Sequence, residues 1–267
     1  MRQNETLPDA ANRRAFLKGA AMTGVGLASA AMIGSKLTAK APPVEAAAYS
    51  DTDILNFALN LEYLEAEFYA MATYGTTLVK LGVITSADET GPTTGGAKIA
   101  NFGEQGTIAT ALRVDEIAHV KYLRTALGSQ AAKKPAINLN ALGYGFSSVT
   151  SWLKLARQFE DVGVSAYLGA APLISSSAYL AAAGAILSTE AQHSGAVRMY
   201  CYAMGINSPA VDGVDVPPSS QHPFDVDANA LSIPRTPAQV LNIVYAGGRC
   251  SGGFYPNGMN GTIVCQS

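Results

Sequence analysis

VDEIAHVKYL, residues 114–123, places Glu116 three positions before His119 in a run that otherwise has the composition of a helix. A second stretch, STEAQHSGAV at residues 188–197, repeats this spacing. The chain has only three histidines, so chance does not account for two of them following a glutamate at the same distance. Residues three apart on a helix lie on one face, and each pair can therefore present a carboxylate and an imidazole to one point. The repeat predicts two helices that contribute ligands to a shared metal site.

A dinuclear carboxylate site in a helix bundle also needs one inward glutamate from each of two further helices. The segment LEYLEAEFY carries Glu62 and Glu65 on one helical face, whereas Glu67 points elsewhere. Three roles are open for Glu65. It can be the metal ligand from this helix, a residue that supports the ligands without binding metal, or a carboxylate along the route by which ions enter. The segment ARQFEDVGVSAY supplies Glu160 from another helix. The candidate metal-site residues are Glu62, Glu65, Glu116, His119, Glu160, Glu190 and His193.

Apolar periodicity and turn residues predict four helices, at residues 51–80, 98–127, 148–171 and 178–203. Antiparallel packing of the first two would put Glu62 and Glu116 at the same depth, and Glu160 and Glu190 match in the same way. The connection between the second and third helices has about twenty residues, enough to cross the length of the bundle. The sequence therefore predicts an all-α four-helix bundle over residues 49–205, without strands.

The character of the chain changes at Asn207, where proline, glycine and asparagine become frequent. We interpret residues 206–267 as a loop-rich extension packed on the bundle, with one short helix at 237–245. Cys250 and Cys265 flank a Gly/Asn-rich segment and are a candidate disulfide, the alternative being that all the cysteines are unpaired. Cys201 lies in a helical pattern, which favours a buried thiol.

Residues 1–48 have the layout of an export signal. RRAFLK, with Arg13 and Arg14, resembles the twin-arginine signal, and a short Gly/Ala-rich run follows. The alternatives, a membrane anchor or a buried helix, are less favoured because the run is shorter than the ~20 residues of a spanning helix. Small residues at 39–41 and at 46–48 are both suitable for cleavage. We therefore expect a periplasmic or secreted protein without stable membrane insertion after cleavage.

Charge excludes one class of partner. Charged residues make up 14% of the chain and the net charge is -2, so the sequence lacks the basic footprint of a nucleic-acid-binding protein.

FALNLEYLEAEFY, VDEIAHVKYL, FEDVGVSAY and STEAQHSGAV together resemble the ferritin-like superfamily. They are most similar to its exported branch, which includes desiccation-related plant proteins and bacterial twin-arginine proteins. The resemblance implies a ferritin-like bundle that binds two ions, iron or manganese, with zinc as an alternative. It also implies that Glu116 and Glu190 each bridge both ions. The spacing from Glu62 to Tyr69 is similar to that in the first helix of bacterioferritin, which favours Glu62 over Glu65.

Two departures from the family pattern limit the function. Larger di-iron oxygenases have Asp-Glu-x-Arg-His in both motifs, whereas here Ala118 replaces the arginine and Thr189 precedes Glu190. An oxygenase is therefore not expected, although Asp115 can orient a histidine. An iron-storage cage is not expected either, because the outward faces lack a run of acidic residues.

Two hypotheses of different classes remain. The first is an exported stress-protection enzyme that oxidises iron or consumes peroxide at two ions, with oxygen or peroxide as its partner. The second is a non-enzymatic envelope or desiccation-stress protein whose metal site is structural or vestigial. Tyr69 and Tyr167 can assist the first, although buried tyrosines are more often plain core residues.

Overall fold

The computed structural model describes residues 49–219 and 221–266, so the predicted export signal lies outside the described residues. The described part of the chain is mostly helical, which confirms the predicted all-α bundle. Its helices are α1 (Asp51–Tyr74), α2 (Gly106–Leu127), α3 (Val149–Ala170), α4 (Ser177–Ala203) and α5 (Pro237–Val244). The strands are β1 (Thr93–Thr94) and β2 (Ile137–Asn138). Short 3₁₀ turns lie at Ser86–Asp88, Gly103–Gln105, Gly128–Gln130 and Ala171–Leu173.

Polar caps fix the start of most of these helices. Ser50 begins α1 with a capping box, in which its side chain and that of Asp53 each bond the backbone N–H of the other residue. Ser148 and Ser176 cap α3 and α4 by accepting a bond from the backbone N–H three residues ahead. These two helices have the predicted bounds to within about one residue.

Two predicted helix boundaries are wrong. Helix α1 ends at Tyr74 rather than at 80, because Gly75 adopts the left-handed φ of 72° that favours glycine. Helix α2 begins at Gly106 rather than at 98. The backbone N–H of Ile99 instead bonds the carbonyl oxygen of Ala72 at 2.8 Å, which holds the preceding segment against the end of α1.

Helices α1 and α2 run antiparallel along each other. Arg113, near the start of α2, bonds Thr73 near the end of α1, and Arg124, near the end of α2, bonds Tyr63 further back along α1. Helices α3 and α4 form the second extensively packed pair. The packed pairs α1/α2 and α3/α4 form the bundle, and contacts between α1 and α3 join them.

The connection from α2 to α3 crosses the bundle and carries β2, which pairs in parallel with β1 from the preceding connection. Thr93 pairs with Ile137 and Thr94 with Asn138. The expectation of no strands was therefore wrong for these four residues. Their pairing is long-range and too short to leave a period-2 pattern in the sequence.

The C-terminal segment covers the side of α1 that the other helices leave open. The Asn60 side chain donates to the carbonyl oxygen of Asn260 at 2.8 Å, and the Tyr255 hydroxyl donates to the carbonyl oxygen of Asn60 at 2.7 Å. Residues 54–70 of α1 are consequently all buried. The predicted disulfide between Cys250 and Cys265 is present, and Cys201 is a buried free thiol as predicted.

Within the described residues, each helix is too short or too polar for a bilayer crossing.

Candidate metal centre

Two groups of four acidic and histidine side chains converge in the middle of the bundle. Within each group, one ligand atom of every residue lies within 4.8 Å of the others. The first group is Glu62, Glu116, His119 and Glu190, and the second is Glu116, Glu160, Glu190 and His193. Glu116 and Glu190 belong to both groups. Each group could hold a metal ion, and these two carboxylates are common to both.

Each of the four helices supplies part of the centre. Glu62 comes from α1 and Glu160 from α3, one glutamate per helix, whereas α2 and α4 each supply a glutamate and a histidine three residues later. The three-residue spacing keeps each pair on one helical face. All four glutamates have no exposed surface, so their charges lie in the bundle interior.

The imidazole nitrogens point at the carboxylates. Nδ1 of His119 lies 3.2 Å from Glu62 Oε2, 3.3 Å from Glu116 Oε2 and 3.3 Å from Glu190 Oε1. Nδ1 of His193 lies 2.9 Å from Glu116 Oε1 and 3.4 Å from Glu160 Oε2. Three oxygens around one nitrogen cannot all share its single proton. These nitrogen and oxygen atoms are therefore arranged as metal ligands around a common point would be.

Several of these atoms are buried without a hydrogen-bond partner in the described part of the chain. They are Glu116 Oε1, Glu160 Oε2, both carboxylate oxygens of Glu190, and His193 Nδ1. Although His193 Nδ1 is only 2.9 Å from Glu116 Oε1, the two lack the angles of a hydrogen bond. Leaving a buried carboxylate unpaired costs several kcal/mol. Cations between the two histidines would satisfy all of these atoms together.

The pKa shifts give the same electrostatic picture. Burial and the charge of Glu62 raise the pKa of Glu116 to about 7. Burial and the charge of Glu116 raise the pKa of Glu190 well above its ordinary value. Burial alone would lower the pKa of His193, but its contacts with Glu116 and Glu160 outweigh burial and raise it to about 12. Each of these raised pKa values favours the protonated form of its group. Without metal, bound protons therefore offset part of the negative charge of the cluster.

The donor set fits two divalent first-row ions. Carboxylate oxygen and imidazole nitrogen suit iron, manganese and zinc. Four glutamates carry four negative charges, which two divalent cations neutralise when both histidines are neutral. The ion near His119 would be held by the first group, and the ion near His193 by the second.

Groups behind the donors hold them in place. Nε2 of His193 lies 3.1 Å from Asp115 Oδ2, which leaves Nδ1 as the nitrogen that faces the centre. The Tyr69 hydroxyl donates to Glu160, and the Tyr167 hydroxyl donates to Glu62 Oε1 at 2.5 Å. Each terminal carboxylate is thus fixed by a tyrosine from the opposite helix.

Glu65 and Glu67 occupy different surroundings. Glu65 is 5% exposed and lies beside the centre, outside both groups of four. Burial, followed by the charges of Glu190 and Glu116, raises its pKa well above the ordinary value. Glu67 faces away from the centre, where it accepts a bond from the backbone N–H of Leu78. Of the two inward glutamates of α1, the structure brings Glu62 into a group of donors.

Two features that position the donors do not follow fully from the sequence. The sequence predicts that Asp115 orients a histidine, but not that this histidine is His193 on another helix, α4. Gly163 lies in the middle of α3, directly against Glu190 and Glu65. A glycine inside a strongly predicted helix was the available signal for a close approach.

This constellation is characteristic of ferritin-like proteins. A family model described as a ferritin-like domain matches residues 50–203, more than half of the chain. The chain belongs to this family. It is also similar to a protein named ferritin-like catalase Nec2, from Nesocodon mauritianus, with 25% identity over 268 residues that cover 80% of this chain and 85% of the relative.

Proposed function

We propose that this protein is an exported enzyme that binds two redox-active transition ions, manganese or iron, and disproportionates hydrogen peroxide to water and oxygen. The observation that carries the proposal is the sharing of Glu116 and Glu190 between two groups of buried donors. Two ions held side by side can exchange two electrons with one small substrate. Resemblance to a protein named as a catalase favours peroxide over other small oxidants.

The residues of the chain have three tasks in this function. Carboxylates and imidazoles bind the ions and balance their charge. Tyr69 and Tyr167 hold the two terminal carboxylates in fixed orientations. The surrounding apolar core, including Trp152 and Phe159, limits access of bulk water to the donors and so strengthens their electrostatic interactions.

The test is metal analysis and peroxide turnover on protein matured through its native export route. We expect two manganese or iron ions per chain, and one molecule of oxygen released for every two of peroxide. Glu116→Ala should lose both the ions and the turnover. Glu104→Ala, which changes an exposed glutamate just before α2, is the matched control and should keep both. Stoichiometric zinc, or two ions with neither peroxide turnover nor oxidation of Fe²⁺, would instead support the non-enzymatic envelope or stress role.

Export is a separate part of the proposal. The paired arginines and the short Gly/Ala-rich run of residues 1–48 support it. Replacement of Arg13 and Arg14 together by lysine should retain the protein in the cytoplasm and leave the N-terminal segment uncleaved. N-terminal sequencing of the exported protein would distinguish cleavage after position 41 from cleavage after position 48.

A further inference from the structure

Gly163 lies well inside α3, where glycine destabilises a helix relative to alanine. Its φ is not among the left-handed values of this chain, so its backbone conformation does not require glycine. The space that a side chain would occupy at this position is the remaining constraint.

A Cβ atom on residue 163 would lie 2.7 Å from Glu190 Oε2 and 3.2 Å from Glu65 Oε1. The first distance is below the range of real Cβ contacts, and the second is tight. The two oxygens belong to carboxylates on α4 and α1, so both helices place an acidic group against the bare backbone of α3.

Other glycines in the four-helix bundle have different surroundings. A Cβ on Gly184 or Gly195 of α4 would meet nothing within 4 Å. A Cβ on Gly169 of α3 would collide with the backbone of Arg235, which is a packing constraint away from the metal centre. Gly163 is thus distinguished by its contact with carboxylates of the centre.

We propose that Gly163 is a positioning residue, which keeps free the space in which the shared carboxylate of Glu190 reaches both ions with Glu65 beside it. The inference rests on the proposed metal site. Without ions, the ends of Glu190 and Glu65 can rotate away from an added methyl group, because a glutamate has several rotatable bonds. Bound ions would hold the Glu190 carboxylate in place, so it could not rotate away from the added methyl group.

This difference predicts opposite effects of Gly163→Ala on folding and on metal binding. The metal-free variant should unfold at the same temperature as the wild type or higher, because alanine favours the helix. Its affinity for Mn²⁺ should fall by about 10–100-fold, the effect typical of changes behind metal ligands. Gly184→Ala, on the exposed side of α4, should leave Mn²⁺ affinity unchanged and is the control.

The measurements are Mn²⁺ titration of the chelated protein followed by elemental analysis, and thermal unfolding with and without Mn²⁺. Wild-type affinity in Gly163→Ala would overturn this inference and leave the proposed function standing. A metal-free Gly163→Ala protein that unfolds at a much lower temperature, or does not fold, would also overturn it, since the residue would then serve core packing. A wild-type protein that binds no Mn²⁺ and no Fe²⁺ would overturn both proposals.

Discussion

Tyr167 on α3 donates a hydrogen bond of 2.5 Å to Glu62 on α1, and Tyr69 on α1 donates one to Glu160 on α3. In each helix the tyrosine follows the glutamate by seven residues, two helical turns along the same face. The relationship is therefore reciprocal, and it joins two helices that otherwise touch much less than the pairs α1/α2 and α3/α4 do.

Tyr167→Phe should destabilise the protein. Burial and the charge of Glu62 raise the pKa of Tyr167 well above its ordinary value, so the phenol keeps the proton that it donates. Removing the hydroxyl leaves a buried carboxylate oxygen without its donor, at a cost of about 1–3 kcal/mol. Thermal unfolding should then shift down by roughly 2–4 °C for each kcal/mol.

Tyr179→Phe is the control, because Tyr179 is partly buried against the same core and no hydrogen bond of its hydroxyl is found within the described chain. Equal melting temperatures for the two variants would contradict a stabilising role of the Tyr167 hydrogen bond.

Much of the centre was predictable because its ligands repeat at helical spacings. The two Glu-x-x-His pairs and the matching depths of Glu62 and Glu116 follow from chain positions alone. Both predicted helices were too long at the same end of the hairpin, α1 at its end and α2 at its start, by similar lengths. The two glutamates therefore remain at corresponding levels in the structure.

Other features depend on contacts that no local pattern contains. Glu62 and Glu65 are three residues apart and share a helical face, so their different placement depends on how α1 is rotated against its neighbours. That rotation is fixed partly by Asn60, which bonds Asn260 two hundred positions away. The same long-range packing buries every side of α1, which a window of sequence cannot indicate.

The disulfide should stabilise the segment that covers α1. Cys250 and Cys265 are separated by 15 positions and enclose Tyr255, whose hydroxyl bonds α1. Closing a loop of this length restricts the unfolded chain and contributes about 3 kcal/mol. We therefore expect reductant to lower the free energy of unfolding, measured in urea, by about that amount.

Cys201→Ala should show the same sensitivity to reductant, because Cys201 is outside the disulfide. The paired substitution of Cys250 and Cys265 by serine should abolish the sensitivity. Unchanged stability of the wild-type protein on reduction would show that the disulfide contributes little to the packing of the C-terminal segment on α1.

The contribution of Asp225 to the free energy of unfolding should decrease as pH rises from about 4 to about 6. Burial and the charges of Asp161 and Asp215 raise its pKa to about 6 from 3.8, against the opposing effect of Arg198 and Arg235. Its folded-state pKa is the higher one, so the folded protein binds the proton more tightly and loses that advantage as pH rises through this window.

The difference in free energy of unfolding between Asp225→Asn and the wild type should therefore shift in favour of the variant as the pH rises from 4 to 6. Urea unfolding at several pH values can measure this difference. Asp227→Asn is the matched control, because hydrogen bonds from the backbone N–H groups of Leu231 and Asn229 lower the pKa of Asp227. Asp227→Asn should have a lower free energy of unfolding than the wild type, and this difference should shrink as the pH falls. Parallel pH profiles for the two variants would be inconsistent with the burial of Asp225.

The shared carboxylates should differ from the terminal ones in metal stoichiometry. Glu116 and Glu190 each belong to both groups of donors, whereas Glu62 and Glu160 belong to one group each. Glutamine keeps the shape of the side chain but removes the charge. If the centre binds two ions as proposed, a substitution at a shared position should affect both ions and one at a terminal position should affect one. Elemental analysis should therefore find close to no bound Mn²⁺ in Glu116→Gln and about one ion per chain in Glu160→Gln. Identical stoichiometry in the two variants would mean that the donors do not form two overlapping sites, since only an overlap makes the position of the lost charge matter.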